Sequence, residues 1–190
     1  MKYRLVNRRD DGLYQIEALR EGPWGLVGTL GGWVETEDNL SQEGDCWVYG
    51  SAQVCGEARV FGEARVYDSA LVSGEAWVYG EARVYGSAQV SGWAQVYGSA
   101  QVYDSVEVSG EAQVSGSARV YGKAKCTKTP VVITGLPRHN IVMTDGQLVS
   151  IGCEQYPLEH WLEHYKEIGT KHNYTEEEIE ACGKILKGLA

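Results

Sequence analysis

Valine occupies every sixth position through the middle of the chain. Thirteen valines follow this step without interruption from Val48 to Val120. Two residues before each valine stands Ala, with Cys46 and Val106 as exceptions, and two residues after it stands Gly or Asp. The apolar and polar positions of each hexad alternate with the period of a β-strand, and the glycine with its polar neighbour favours a turn. The pattern therefore predicts one short strand and one corner per hexad.

The fourteen hexads, which run from Gly44 to Thr127 without insertion, do not suit a helix. Six residues rotate an α-helix by about 600°, so that successive valines would spiral around its axis. Sides of six residues close most simply as a triangle of three hexads, and the hexads then stack as about 4⅔ coils at the spacing of a sheet. We therefore predict an all-β solenoid with a narrow core of valine and alanine.

The flanking segments are predicted to be caps and appended elements. Residues 1–43 are expected to form an N-terminal β cap, since an open solenoid end would expose apolar side chains and unpaired backbone groups. Residues 44–127 are assigned to the β-helix. Residues 128–190 are assigned to a small C-terminal element, a hairpin followed by two helices.

Turn and cap signals place the parts of this C-terminal element. Asp145-Gly146 predicts the hairpin turn, Pro157 opens the first helix, and Thr175 with Glu178 forms a capping box at the second helix. Each helix has one apolar face, made by Leu158, Trp161, Leu162, Tyr165 and Ile168 in the first and by Ile179, Cys182, Leu186 and Leu189 in the second.

The coils of residues 44–127 resemble the hexapeptide-repeat left-handed β-helix proteins. The left hand of the solenoid is implied by that resemblance. Together with the segment GTLGGWVETEDNLSQEGDCWVYG and the terminal IGC followed by a Trp-containing helix, the coils are most similar to members encoded by phages and prophages. This resemblance implies a fold and a phage origin, but no activity.

Histidines bear on whether the chain is an enzyme. Acyltransferases of the resembled family use a histidine base near the coils, and its carbonic anhydrases bind zinc through three histidines. Residues 44–127 contain no histidine; His139, His160, His164 and His172 all follow them. His160 and His164 have the i, i+4 spacing of two metal ligands on a helix. Glu159 and Glu163 lie beside them, however, and indicate a solvated surface. We therefore predict no catalytic residue, metal or cofactor, and an acyltransferase remains the minority alternative.

Charge and composition limit the partners. The formal net charge is −9, and no segment is basic, which disfavours duplex nucleic acid. No apolar run approaches the length of a membrane span, and no signal-peptide pattern occurs, so we predict a cytoplasmic location, in the host if the chain is phage-encoded. The five cysteines are widely spaced and odd in number, which indicates free thiols.

A period of 18 residues separates the outward positions into three unlike sides. The first side carries tyrosines just after the inward valines and mostly arginines just before them. We predict that this side is the binding surface, formed by Trp47, Tyr49, Arg65, Tyr67, Arg83, Tyr85, Tyr103, Arg119 and Tyr121. The second side carries mainly Ser at the tyrosine position, and the third carries Phe61, Tyr79, Tyr97 and Ser115.

Three interpretations of the tyrosine side stay open: a structural ladder, a protein interface, and a site for a small planar or anionic ligand that stacks on tyrosine and pairs with arginine. Like aromatic residues stabilise solenoid strands without binding anything. Tyr, Trp and Arg are also the residues that interfaces favour. The leading functional hypothesis is a non-catalytic scaffold that binds a host protein or forms a homo-oligomer, a trimer being favoured. The alternatives are a phage anti-defence protein that sequesters a nucleotide-like signal, and the acyltransferase.

Overall fold

The computed structural model describes residues 1–134, 136 and 138–190. It divides the chain into two compact units, Met1–Thr129 and Pro130–Ala190. Each unit has its own core. No helix in the described part of the chain is both long enough and apolar enough to cross a membrane.

The first unit is the predicted parallel β-solenoid, of about five turns. From one coil to the next, strands that lie 18 residues apart pair in parallel, so that Val84 lies between Val66 and Val102. The fourteen coil strands are β4 (Trp47–Val48), β5 (Gln53–Val54), β6 (Arg59–Val60), β7 (Arg65–Val66), β8 (Leu71–Val72), β9 (Trp77–Val78), β10 (Arg83–Val84), β11 (Gln89–Val90), β12 (Gln95–Val96), β13 (Gln101–Val102), β14 (Glu107–Val108), β15 (Gln113–Val114), β16 (Arg119–Val120) and β17 (Lys125–Cys126). Three sheets result, which confirms the period of three hexads per coil.

Valine and alanine fill the solenoid as predicted, and their side chains are fully buried in every coil. The corner glycines lie in the left-handed region, where a residue without Cβ carries no steric penalty. Aspartate takes the same conformation at Asp68 and Asp104, with φ of 60° and 62°. Each carboxylate accepts a hydrogen bond from the backbone N–H of the corner one coil further on, at Gly86 and Gly122 respectively. The side chain thus offsets part of the cost of the positive φ.

Three antiparallel strands precede the coils: β1 (Tyr3–Arg8), β2 (Tyr14–Ala18) and β3 (Leu30–Val34). Strand β3 pairs in parallel with β5, so this small sheet continues the sheet of the second side. Lys2 is buried beside it, and its Nζ donates to the Cys46 carbonyl oxygen at 2.9 Å. Sequence patterning gave no sign of this buried lysine.

The second unit contains a four-stranded antiparallel sheet and two helices. Its strands are β18 (Val131–Ile133), β19 (Ile141–Thr144), β20 (Leu148–Ile151) and β21 (Glu154–Pro157), followed by α1 (Leu158–Lys171) and α2 (Glu176–Leu189). The predicted hairpin is β19–β20, and β18 and β21 extend it on either side. The capping box at Thr175 is present. The predicted helix faces pack against Ile141, Val149 and Ile151 of the sheet.

Candidate binding face

The Tyr/Arg face is the outer surface of the sheet formed by β4, β7, β10, β13 and β16. We use this name for Tyr49, Tyr67, Tyr85, Tyr103 and Tyr121 with Arg65, Arg83 and Arg119. Exact register places the tyrosines above one another. The ring centroids of Tyr67 and Tyr85 lie 4.8 Å apart at an angle of 4°, and those of Tyr85 and Tyr103 also lie 4.8 Å apart. The ladder is thus a continuous, half-buried aromatic surface.

The ladder changes at its N-terminal end. Tyr49 meets Tyr67 edge to face, at 6.4 Å and 90°. Here an open cleft of about 520 Å³ is lined by Pro23, Tyr49, Gly50, Arg65, Tyr67, Asp68 and Arg83. Aromatic surface and two guanidinium groups therefore border one cleft.

Three tyrosines of the coils, Tyr79, Tyr85 and Tyr97, donate through their hydroxyls to the glutamine 16 positions further on. Tyr85 Oη donates to Gln101 Oε1 at 3.4 Å, and this spacing relates Tyr67 to Arg83 in the same way. Burial raises the pKa of the Tyr67 hydroxyl, and the nearby Arg83 charge partly opposes that rise. Among the described residues, no carboxylate lies within ion-pair distance of Arg65, Arg83 or Arg119. The face therefore presents three guanidinium groups that no carboxylate of the described part of the chain pairs.

Trp47 is not part of the exposed face. Its side chain has no exposed area, because it stacks on Trp24 at 4.9 Å and meets Tyr3 edge to face at 6.1 Å. The residues that precede the coils cover it. The prediction that Trp47 belongs to the binding surface is corrected accordingly, since a sequence period does not reveal which coil position lies under the cap.

The repeat is similar to repeats of known proteins. The family model described as YdcK beta solenoid repeat matches residues 76–92. These hexads are β-solenoid repeats. A relative from Escherichia coli (strain K12), "Uncharacterized acetyltransferase YdcK", is 35% identical over an alignment of 78 residues that covers 31% of this chain. The alignment spans about a quarter, 24%, of that relative's length.

The β-solenoid repeats carry a second aromatic ladder, on the third side. Phe61 stacks on Tyr79 at 4.9 Å, and Tyr79 stacks on Tyr97 at 5.0 Å. Stacking alone therefore does not distinguish the Tyr/Arg face. The number of arginines does, since Arg65, Arg83 and Arg119 lie on that face and the third side has Arg59 alone at the equivalent position. Trp77 and Trp93 are 42% and 59% exposed on or beside this third side. Neither tryptophan was predicted to be functional, although each interrupts a column of polar residues at the 18-residue period.

The two histidines with metal-pair spacing lie on α1. The rings of His160 and His164 stack at 4.4 Å, and His164 Nδ1 lies 3.1 Å from the His160 carbonyl oxygen. No group of three or more potential metal ligands occurs within the described ranges.

Proposed function

We propose that this chain is a non-catalytic β-helix scaffold that assembles with copies of itself through the Tyr/Arg face, most simply as a trimer. The observation that supports this proposal is the pairing of a flat aromatic ladder with arginines that have no carboxylate partner. Tyr and Arg supply much of the binding energy in protein interfaces, especially when a partner desolvates them. The chain has an acidic net charge, so another copy readily offers the complementary carboxylates.

The corner that precedes the face supplies such carboxylates. Glu63 and Glu81 are exposed there and lie one coil apart, as Arg65 and Arg83 do. No ion pair joins these glutamates to the arginines of the same chain, and Glu81 instead accepts a hydrogen bond from Ser99. Their charges are therefore free to meet arginines of a neighbour.

The triangular cross-section favours a closed ring of three copies. In a triangular cross-section, the direction of a side and that of an adjacent corner differ by about 60°. In a ring of three copies, the directions from one copy to its two neighbours also differ by about 60°. Because coils of every copy share one spacing, Arg65 and Arg83 of one copy would meet Glu63 and Glu81 of its neighbour at the same heights. The opposite corner, with Glu57 and Glu75, points away from the face and would give an open array.

Charge reversal tests this arrangement. Arg65→Glu with Arg83→Glu should convert the assembly to monomer in native mass spectrometry, because like charges then meet across the interface. Glu63→Arg with Glu81→Arg should do the same. Combining all four changes in one chain should restore the assembled mass, since the complementary pairs are recreated in reverse.

The matched control is Glu57→Arg with Glu75→Arg, which changes the same number of charges on the opposite corner. It should leave the assembled mass unchanged. A monomeric parent protein would refute the scaffold proposal. A loss of assembly in the control would assign the contact to the opposite corner instead.

The cleft at Tyr49 and Tyr67 supports a second candidate, a small planar anion such as a nucleotide-like signal. Arg65 and Arg83 would bind its phosphate groups while the tyrosines stack on its base. The phage origin and the anti-defence role are predictions that belong to this candidate. Protein purified from its own host should then retain a small molecule in native mass spectrometry, and Arg65→Glu with Arg83→Glu should lose it.

An acyltransferase is the third candidate, and its support is the name of the Escherichia coli relative, an uncharacterized acetyltransferase. The described coils offer no histidine as a base. Stabilisation of the protein against thermal unfolding by acetyl-CoA would support acyl transfer, whereas an unchanged melting temperature would count against it.

A further inference from the structure

A cavity in the second unit is separate from the Tyr/Arg face. It has a volume of about 110 Å³ and lies between the end of β20, the start of β21 and the two helices. Its lining includes Arg138, His139, Glu154, Trp161, Ile168 and Leu186. Hydrophobic residues form one part of this lining, and titratable residues form the other.

The apolar part comes from the buried core of the unit. Trp161, Ile179 and Leu186 are buried there, and Ile168 packs against them. Gly183 lets the Tyr165 ring lie against α2, because a Cβ at Gly183 would stand well inside contact distance of that ring. The Trp161 indole N–H donates to the Val149 carbonyl oxygen at 2.9 Å, so its polar atom is already satisfied. This wall offers contact to hydrocarbon.

In the polar part of the lining, both oxygens of the Glu154 carboxylate already have hydrogen-bond partners. Glu154 Oε1 lies 2.7 Å from His172 Nε2 and 3.5 Å from Lys171 Nζ, and Glu154 Oε2 accepts from the Tyr156 hydroxyl at 2.8 Å. Both oxygens are engaged, and the negative charge faces a lysine and a histidine. A ligand cation would have to displace these contacts.

Arg138 differs, because it has donors to spare. Its guanidinium stacks over the Tyr174 ring at 5.0 Å, and its Nε donates to Glu178 at 3.0 Å. Arginine has five N–H donors in a planar fork, and the described residues provide a partner for Nε alone. His139 lies beside it and contacts the same tyrosine ring at 6.3 Å. The groups that remain for a ligand are thus donors.

We propose that this cavity binds a short-chain carboxylate, with the hydrocarbon against Trp161, Ile168 and Leu186 and the carboxylate on Arg138. An apolar cavity of about 150 Å³ holds benzene in another protein, so about 110 Å³ suits a chain of a few carbons and excludes a long fatty acid. Arginine and carboxylate form the charge-assisted, bidentate pairs that fix the orientation of a ligand. Polar groups that converge on an apolar pocket are typical of small-molecule sites.

Isothermal titration calorimetry of the full chain with pentanoate tests the proposal. Pentanoate should bind, and pentan-1-ol should bind about tenfold or more weakly, because it lacks the charged partner for Arg138. Decanoate should not bind better than pentanoate, since the cavity has no room for the longer chain. Equal binding of pentanoate and pentan-1-ol would overturn the proposed head-group contact, and no binding of pentanoate would overturn the site.

Two pairs of variants separate binding from folding. Arg138→Gln should weaken pentanoate binding about tenfold, whereas Glu178→Gln, which removes the other partner of the same ion pair, should retain or improve it. Ile168→Phe should fill the cavity and abolish binding while circular dichroism stays unchanged. Arg59→Gln, at an exposed position of the first unit outside the Tyr/Arg face, should bind pentanoate as the parent does. Equal losses in Arg138→Gln and Glu178→Gln would show that only the ion pair matters, and would refute the carboxylate contact.

Discussion

At the scale of single residues, the corners of the solenoid depend on a left-handed backbone conformation that recurs every six residues. Gly74 and Gly116 have φ of 66° and 63°. Their surroundings differ. A Cβ on Gly74 would stand 2.9 Å from the backbone nitrogen of Gly92 in the next coil, whereas nothing lies within 4 Å of a Cβ on Gly116. Conformation and crowding can therefore be separated within one chain.

We expect Gly74→Ala to lower the free energy of unfolding more than Gly116→Ala. The change at Gly116 should cost about 1 kcal/mol, the penalty of a positive φ for alanine. The change at Gly74 should cost about 1–3 kcal/mol more, because the backbone of the next coil cannot move aside cheaply. Urea denaturation followed by circular dichroism measures both. Equal losses would mean that the coil spacing relaxes freely.

At the scale of elements, the second unit joins β21 to the end of α1 through Glu154. The hydrogen bond with His172, and then that from Tyr156, hold the pKa of the Glu154 carboxyl below its usual range. A depressed carboxyl pKa means that the fold favours the ionised form. Its contribution to stability is fully present above the ordinary pKa of glutamate and is lost as the pH falls through the lower pKa of the folded state.

Glu154→Gln should therefore lower the melting temperature at pH 7, and this difference from the parent should shrink as the pH falls below about 4. The group is partly solvated, so we expect at most about 1 kcal/mol. Thermal unfolding followed by tryptophan fluorescence across a pH series provides the measurement. Glu159→Gln, an exposed change on α1, is the control and should show no such trend. A pH-independent difference would mean that charge plays no part.

At the scale of the whole molecule, two stacked aromatic ladders run along the solenoid. Among the described residues, Arg65, Arg83 and Arg119 lie without an ion pair beside the first ladder, and Arg59 lies so beside the second. Stacked aromatic pairs contribute to the stability of a single chain. According to our proposal, the tyrosines of the Tyr/Arg face also contact another copy. The same side chains would then contribute both to the stability of one chain and to assembly. Fold stability and assembly are separate measurements, so the two roles can be distinguished.

Tyr67→Ala with Tyr85→Ala should shift the mass in native mass spectrometry toward monomer while circular dichroism stays β-rich. Central aromatic anchors of an interface contribute roughly 2 kcal/mol or more each. The matched control is Ser73→Ala with Ser91→Ala, at equivalent positions of the serine side, and it should keep the parent mass. If the tyrosine variant keeps the parent mass as well, the ladder is structural and the binding surface lies elsewhere, with Trp77 and Trp93 as the next residues to change.

The fold of the coils follows from the sequence by itself, because an unbroken period leaves one consistent solution. Each hexad, such as the one that contains Ala82, Val84 and Gly86, requires a strand and a corner. Three such sides complete a coil and bring like residues of successive coils into register. The stacking of Tyr67 on Tyr85 was predictable for the same reason. The hairpin and the two helices of the second unit were equally readable from Gly146, Pro157 and Thr175, since turn and cap residues act locally.

Side-chain accessibility and charge pairing depend on contacts that the sequence pattern does not reveal. Trp47 fits the column of exposed residues, but Trp24 and Tyr3 cover it, because the segment before the coils folds over the first one. The cavity of the second unit also escaped the sequence analysis. Residues as distant as Arg138 and Leu186 line it, and packing between a sheet and two helices brings them together without any local signal. Local periodicity specifies the repeating unit, whereas its surfaces depend on contacts between segments far apart in the chain.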